Sequence, residues 1–443
     1  MGKPPCVGLR REDMYQWERR TPLIPEHLGR LAKQLGIGFT VQSSNMRAYT
    51  DDEYRAAALP VAQELAECPL IIGLKEIPVE VLEANKTYVF FSHVIKGQSF
   101  NMPMLQRALD LGCTIVDYEK IADDRGKRLI AFGNYAGLAG MIDTLWALGQ
   151  RLDVEGIESP FSQLKQASQY RDLSEAKTAI AAVGDAIASD ALPDELRPLV
   201  IGIAGYGNVS KGAQEILDLL PVTELTAADL LNGERREDGE RSVLKVVFRE
   251  EDTVLPLADG DAFELQDYYD HPERYRAAFA RYLPHLTVLV NCIYWEPKYP
   301  RLISAEDVRT LYAGNPPRLR VIGDISCDVA GGIEVTIEAT EPDDPVYVYD
   351  PSTGEARSGF EGDGPLLMAV DILPSELPRE ASSYFSNILK DFVPALVAAD
   401  YGVSFEALDL PDELKRAVIC HRGALTPDYQ YIETYLAAAR PQG

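Results

Sequence analysis

Two residues able to move protons stand at the ends of consecutive strand-like runs: PLIIGL leads into Lys75, and YVFFS leads into His93. In an open α/β sheet, ligands bind outside the carboxyl ends of the strands, so such positions nominate a site. Lysine and histidine there suit general acid–base chemistry. The run CTIV delivers Asp117, Tyr118 and Glu119, while the first run delivers Arg10 and Arg11, with Glu18, Arg19 and Arg20 close behind. Later runs deliver Cys292 and Tyr294, then Asp324 and Ser326. Guanidinium groups such as those of Arg20 and Arg128 bind carboxylates through paired hydrogen bonds, so the expected substrate is an amino or keto acid. Each group also has an ordinary explanation. A strand-end lysine is commonly a solvated cap, and a lone histidine is commonly a satisfied structural residue.

A second kind of chemistry is written in IGIAGYGNVSKGA, from Ile201 to Ala213. A β-prone run enters Gly202, Gly205 and Gly207, and Gly212 lies on the helix that follows. The turn lets backbone approach a phosphate, and the helix offers unpaired N–H groups to it. The spacing departs from GxGxxG, and on its own it fits a ligand-free turn equally well. NAD binding would require an acid at the end of the next strand to read the ribose. In PVTELTAADL that end, near Thr226 and Ala227, has no carboxylate, although Glu224 and Asp229 are close. NADP is therefore expected in preference to NAD, with Arg235 or Arg236 as candidates for its extra phosphate, or else as solvated loop residues.

The elements that must position these groups alternate along the chain. Strand-like runs at Cys6–Leu9, Phe39–Gln42, Pro69–Leu74, Tyr88–Ser92 and Cys113–Val116 are separated by helical patterns, of which two stop at Gly36 and Gly112. After Gly133 come a long apolar helix, an amphipathic one, and a second series of runs: LVIGIAG, SVLKVVF, LTVLVNCIYW, RLRVIGDIS and GPLLMAVDI. The fold expected is α/β, with two Rossmann-like parallel-sheet domains and a cleft between them. Residues 1–133 with about 372–443 would form the substrate domain, and 134–371 the dinucleotide-binding domain. The charged stretch Asn232–Ser242 is expected to be a surface loop.

Bulk composition excludes several function classes. The chain has 443 residues, 46% of them hydrophobic and 25% charged, which suits two globular domains. A net charge of −26 repels nucleic acid and anionic membranes, so neither is an expected partner. Six scattered cysteines show no metal-binding spacing, several fall in apolar runs, and no metal is expected. No apolar run reaches membrane-spanning length and no basic leader precedes the first strand, so a cytoplasmic location is expected.

ERRTPLIP, IIGLKEIP, FFSHVIKGQ, DYEKIADDRGKRLIAFGNYAGLAGM, GNVSKGAQEI, HPERY, NCIYWEP, GDISCD and LPREAS together resemble the saccharopine dehydrogenase and alanine dehydrogenase superfamily. The resemblance is strongest to the lysine-ketoglutarate reductase domain of aminoadipic semialdehyde synthases and runs from about Val7 to beyond Tyr429. It implies catalytic roles for Lys75 in GLKE and His93 in F-x-H. It implies substrate contacts at Arg20, Gln98, Arg128 and Phe132, with Glu119 nearby, adjusting the acid–base pair. Cofactor contacts would fall on Lys127, Gly205, Gly207, Asn208, Ile293, Asp324 and Ile325. Lys127 stands where relatives carry arginine, which keeps the charge but loses a bidentate contact.

The reaction so implied joins lysine, 2-oxoglutarate and NAD(P)H into saccharopine, or runs in reverse. The bifunctional relatives continue into a second dehydrogenase domain, whereas this sequence stops at Gly443. A separate saccharopine-cleaving enzyme in the same pathway is the corresponding expectation. Three alternatives stay open: alanine dehydrogenase chemistry, opine-type dehydrogenation of another amine, and a catalytically idle binding protein of the same fold.

Overall fold

The computed structural model describes residues 6–233, 242–258, 260–314 and 316–439. The chain forms two compact units, one of Met1–Phe132 with Pro378–Gly443 and the other of Gly133–Leu377.

The first unit is built on an eight-stranded sheet. Its parallel strands are β1 (Cys6–Leu9), β2 (Gly38–Gln42), β3 (Val61–Ala62), β4 (Leu70–Ile72), β5 (Thr87–Phe90) and β6 (Thr114–Asp117), ordered β6-β5-β4-β1-β2-β3. Val418–His421 pairs antiparallel to β6, and Ala424–Leu425 closes that edge. Helices α1 (Pro25–Leu35), α2 (Asp51–Ala56) and α3 (Met102–Asp110) connect the strands. α1 ends because Gly36 turns left-handed at φ +64° and returns its N–H to Ala32. Helix Pro378–Leu389 is fastened to this unit by serines: Ser382 Oγ accepts the N–H of Thr21 at 2.9 Å, and Ser386 Oγ that of Ile24 at 3.0 Å.

The second unit has its own eight-stranded sheet. Long, apolar α4 (Gly133–Val154) and α5 (Leu173–Ala188) precede β7 (Leu199–Ala204), then α6 (Asn208–Leu217), β8 (Val222–Leu225), α7 (Ala227–Asn232) and β9 (Val243–Phe248). A small hairpin, β10 (Val254–Pro256) and β11 (Tyr275–Ala277), is followed by β12 (Val288–Asn291), β13 (Val321–Asp324), β14 (Val346–Tyr349), β15 (Ala356–Ser358) and β16 (Leu366–Met368). The order is β15-β14-β16-β13-β12-β7-β9-β8, antiparallel only where β14 meets its neighbours. Leu199, Ile201 and Ile203 of β7 enter the core on one face, and Val200 and Ala204 the core on the other. This is why the run reads as continuously apolar. Val370, Leu373 and Leu377 belong to the same core as α4, so the chain leaves this unit only at Pro378.

Candidate active site

In the first unit, the carboxyl ends of β1, β4, β5 and β6 carry a set of buried acids, each with a defined task. Glu12, fully enclosed, accepts the backbone N–H groups of Leu74 at 2.8 Å and Lys75 at 2.9 Å, so it fixes the path of the chain beyond β4. Burial pushes its carboxyl up to about 7, with Arg10 opposing. Asp117 does the same for β5 and β6. It receives the N–H and hydroxyl of Ser92 and the N–H of Glu119, and burial raises it to about 6.

His93 follows Ser92 in a left-handed backbone conformation, φ +47°, uncommon for a residue with a side chain. Its Nδ1 is 2.5 Å from Glu76 Oε1, its ring stacks on Phe91, and its side chain is 28% exposed. One ring nitrogen is thus anchored by a carboxylate, while the ring remains open to solvent. Burial acts to raise the Glu76 carboxyl, but the hydrogen bond and charge of His93 and the charge of Lys75 bring it below its ordinary value. The Lys75 charge also reaches Glu18. Glu18 is buried and would be raised, but Arg20 binds it through Nε at 2.8 Å and Nη2 at 2.6 Å and lowers it.

These pairings change two expectations. The Arg20 fork is already bidentate to Glu18 and lies 4.3 Å over the Phe132 ring, so its carboxylate partner is internal. Glu119 pairs with Arg128 at 2.5 Å, and the acid that orients His93 is Glu76. Phe132 stacks on Phe385 at 4.6 Å, and Gln98 Oε1 accepts the N–H of Lys96 at 3.2 Å. Lys127 is exposed in a turn, where its N–H bonds Asp123. Neither Glu12 nor Glu76 is among the residues nominated from the sequence; for Glu76 the signal is available, since GLKE sets it directly beside the lysine, whereas Glu12 meets Lys75 only through the fold.

In the second unit, a recess of about 670 Å³ opens at the carboxyl ends of β7, β9, β12 and β13, lined by Gly205, Gly207, Asn208, Arg249, Ile293 and Ile325 among others. Such a volume suits a cofactor. The turn is built for backbone contact. Gly205 sits at φ +97°, where a Cβ would press on Ile293 and Cys292, while a Cβ at Gly207 would enter open space. Gly207 precedes α6 with no side chain capping the helix, leaving first-turn N–H groups for an anion. Gly212 serves packing: a Cβ there would lie 2.0 Å from Asn134 O on α4. These features fit a dinucleotide pyrophosphate.

Asp324, unlike its neighbour Ile325, is not at the recess surface. It is 1% exposed, with Oδ1 accepting from Asn291 at 2.8 Å and the Cys327 N–H, and Oδ2 from Thr336 at 2.6 Å. Burial raises it to about 6. It locks the adjacent ends of β12 and β13, which are in register at Asn291 and Asp324.

The strand assigned to the ribose acid also needs correction. The β7–α6–β8 crossover skips one position, so β8 lies at the sheet edge and β9 is the neighbour of β7. Glu224 is bound by Lys245 at 2.8 Å, and Asp229 caps α7 with Thr226. The residues that follow the strand beside the turn are Arg249 and Glu250. Arg235 and Arg236 lie outside the described residues.

Among the described residues, no cluster of three or more His, Cys, Asp and Glu is arranged to hold a metal, and no helix is long and apolar enough to cross a membrane. Residues 8–139 match the family described as alanine dehydrogenase/PNT, N-terminal domain. An alpha-aminoadipic semialdehyde synthase of Arabidopsis thaliana is 40% identical over 442 residues, covering 96% of this chain and 41% of that protein. The chain thus spans less than half the length of that relative. A saccharopine dehydrogenase [NAD(+), L-lysine-forming] of Emericella nidulans is 26% identical over 84% of this chain and 87% of its own. Among solved structures, an L-alanine dehydrogenase shares the fold with a TM-score of 0.61 at 15% identity, covering 97% of this chain and 99% of its own. Residues 8–139 thus carry the N-terminal domain family of alanine dehydrogenase and PNT, and the paired α/β units share the fold of an L-alanine dehydrogenase.

Proposed function

We propose that this chain carries out the lysine-forming saccharopine dehydrogenase, or lysine-ketoglutarate reductase, reaction: L-lysine and 2-oxoglutarate condense and are reduced with NAD(P)H to saccharopine, or the reverse. The observation that carries this reading is Lys75 adjoining the Glu76–His93 pair, in a chain 40% identical to an aminoadipic semialdehyde synthase over nearly its whole length. The ε-amine of free lysine, with a pKa of about 10.4, must shed a proton before attacking the keto carbon. His93 exchanges that proton with the substrate nitrogen, its far nitrogen fixed by Glu76. Lys75 protonates the carbonyl oxygen and then the departing hydroxyl as the carbinolamine loses water to form an imine. When bound in the recess, the reduced dinucleotide supplies the hydride for the imine carbon. The roles of Lys75 and His93 are assigned by analogy with the family motifs. Arg128, Gln98 and Phe132 are the proposed substrate contacts, with Arg20 and Glu119 holding them in place. Gly205, Gly207, Asn208, Ile293 and Ile325 are proposed for the cofactor, with Asp324 supporting them and Lys127 as an outer contact.

NADP is our preferred cofactor, because the strand beside the turn is followed directly by an arginine. The six free thiols suit a reducing compartment such as the cytoplasm. The test is absorbance of NADH or NADPH with lysine and 2-oxoglutarate, and in parallel with pyruvate and ammonia. Oxidation that requires lysine is expected. Oxidation with ammonia and pyruvate alone would move the assignment to alanine dehydrogenase chemistry, and silence with every amine would leave a binding protein.

A further inference from the structure

The amino ends of the first unit's strands, opposite the ends that carry Lys75 and His93, border a second cavity of about 430 Å³. Its floor is one row of the sheet. Val7, Leu70, Thr87 and Thr114 stand in register across β1, β4, β5 and β6, so their side chains face the same side, and all four line the cavity. Further along this face, Leu9, Ile72, Val89 and Val116 belong to the apolar core. Helix Val393–Ala398 and the turn after it, with Asp400 and Gly402, supply a wall.

The two threonines differ. His421 Nε2 donates to Val403 O at 2.9 Å, since a carbonyl only accepts, so in the neutral ring Nδ1 takes the Thr114 hydroxyl at 3.0 Å. The same Thr114 oxygen accepts the N–H of Arg422 at 3.3 Å. Thr87 is equally buried, at 3% exposed, yet among the described residues its hydroxyl has no partner. A buried hydroxyl left so costs about 1–3 kcal/mol, which a valine in its place would avoid. Two opposite charges complete the lining. Arg422 is exposed and left-handed at φ +50°, held by the Thr114 contact and by Nη1 donating to Gly402 O at 2.7 Å. Among the described residues it pairs with no carboxylate. Asp400 gives Oδ1 to the Gly402 N–H at 2.9 Å, and its second oxygen has no partner among the described residues.

We propose that this cavity binds a free aliphatic α-amino acid, at a site separate from the groups at the carboxyl ends of the strands. The Arg422 guanidinium and the Thr87 hydroxyl donate to its carboxylate, and the open oxygen of Asp400 accepts from its ammonium. Leu70, Leu396 and Val397 receive the side chain. A concave, largely apolar space with a few placed polar groups is the usual form of a small-molecule site. The paired charges select a zwitterion: a simple anion would meet Asp400 without an answering cation, and a simple amine would leave Arg422 unused. The ligand makes and breaks no bond. It occupies the far end of the sheet that positions Lys75 and His93.

The test is isothermal calorimetry on the full chain with three probes: L-leucine, 4-methylpentanoate, which lacks the ammonium, and 3-methylbutylamine, which lacks the carboxylate. The same titrations are run on Arg422→Gln, Asp400→Asn and Thr87→Val, with thermal melting to check folding. Leucine is expected to bind, and each truncated probe to bind about tenfold more weakly or worse. Arg422→Gln and Asp400→Asn should each weaken leucine by about tenfold or more. Thr87→Val should weaken it severalfold while melting no lower than the wild type, because it removes an unpaired hydroxyl. These losses would place the amino acid in this cavity and not among the carboxyl-end groups. Should Arg422→Gln melt early, the Asp400→Asn and Thr87→Val titrations decide alone. Absence of heat with leucine, equal affinity for 4-methylpentanoate, or leucine affinity unmoved in the folded variants would each overturn the site.

Discussion

The strand ends of the two units solve opposite electrostatic problems. In the first, charge is buried and paired: Glu18 with Arg20, Glu76 with His93, Glu12 and Asp117 on backbone amides. In the second, the turn offers bare backbone and open space, and its arginine is at the surface. Groups that pass protons need fixed orientation and a neighbouring charge, and burial supplies both. A pyrophosphate brings its own charge and needs only N–H groups and room for the backbone to approach. The comparison explains why side chains matter most in one unit and their absence in the other.

The largest effect expected of a single substitution lies where glycine serves packing. A Cβ at Gly137 of α4 would sit 1.9 Å from Val209 O on α6, so Gly137→Ala should cost about 3 kcal/mol or more in urea unfolding. An unchanged midpoint would show that the helix pair can separate freely.

Next comes the buried acid beneath Lys75. Glu12 titrates near 7 in the folded chain against 4.5 ordinarily, so the folded state holds its proton more tightly. Its contribution, on the order of 3 kcal/mol, is present in full below pH 4.5 and is lost as pH rises through 7. Asp117 and Asp324, each raised to about 6, act with the same sign. Unfolding free energies measured from pH 4.5 to 7.5 should therefore fall less steeply in Glu12→Gln than in the wild type; equal slopes would refute the assignment.

Third, Lys75→Met and His93→Gln should each lower kcat roughly a hundredfold while dinucleotide affinity, read by calorimetry, stays unchanged. Wild-type turnover in both would remove them from the mechanism. Glu76→Gln should act through His93, which it binds, and through the charge of Lys75, with kcat down about tenfold and the pH profile displaced. A lower kcat with an unmoved profile would point to a purely structural role.

The smallest stability effect is reserved for Gly207→Ala. With nothing within 4 Å of the added methyl, its unfolding free energy should stay within about 0.5 kcal/mol, while affinity for either dinucleotide falls severalfold. A large loss of stability would mean that this glycine, like Gly137, serves packing.

Lys75 and His93 could be nominated from the chain alone because strand runs with both faces buried are continuous apolar stretches, and the polar residue that ends each one faces a ligand by topology. Gly205 and Gly207 could be nominated because glycines between a strand and a helix leave the backbone open to a ligand, and at Gly205 the left-handed φ of +97° favours glycine. Helix ends at Gly36 and Gly112 follow from the same backbone freedom. The partners of the charged groups could not be read. Arg20 is two residues from the acid that occupies it, and nothing in ERRTPLIP distinguishes that pairing from a free fork. Likewise Glu76 and Glu119 both lie close to the histidine-bearing region, and only packing gives His93 to Glu76.

What the sequence determined by itself is the repeated strand-and-helix frame, the glycine turn, and the residue types at the strand ends, because these depend on local periodicity and backbone freedom. What the tertiary structure decided is which strand stands beside which. β8 follows β7 in sequence, but β9 adjoins it in space, since the crossover passes over one position. That single exchange puts Arg249, and not Thr226, just past the strand beside the glycine turn, and no local pattern records it, because strand order is set by how whole helices and strands cover one another.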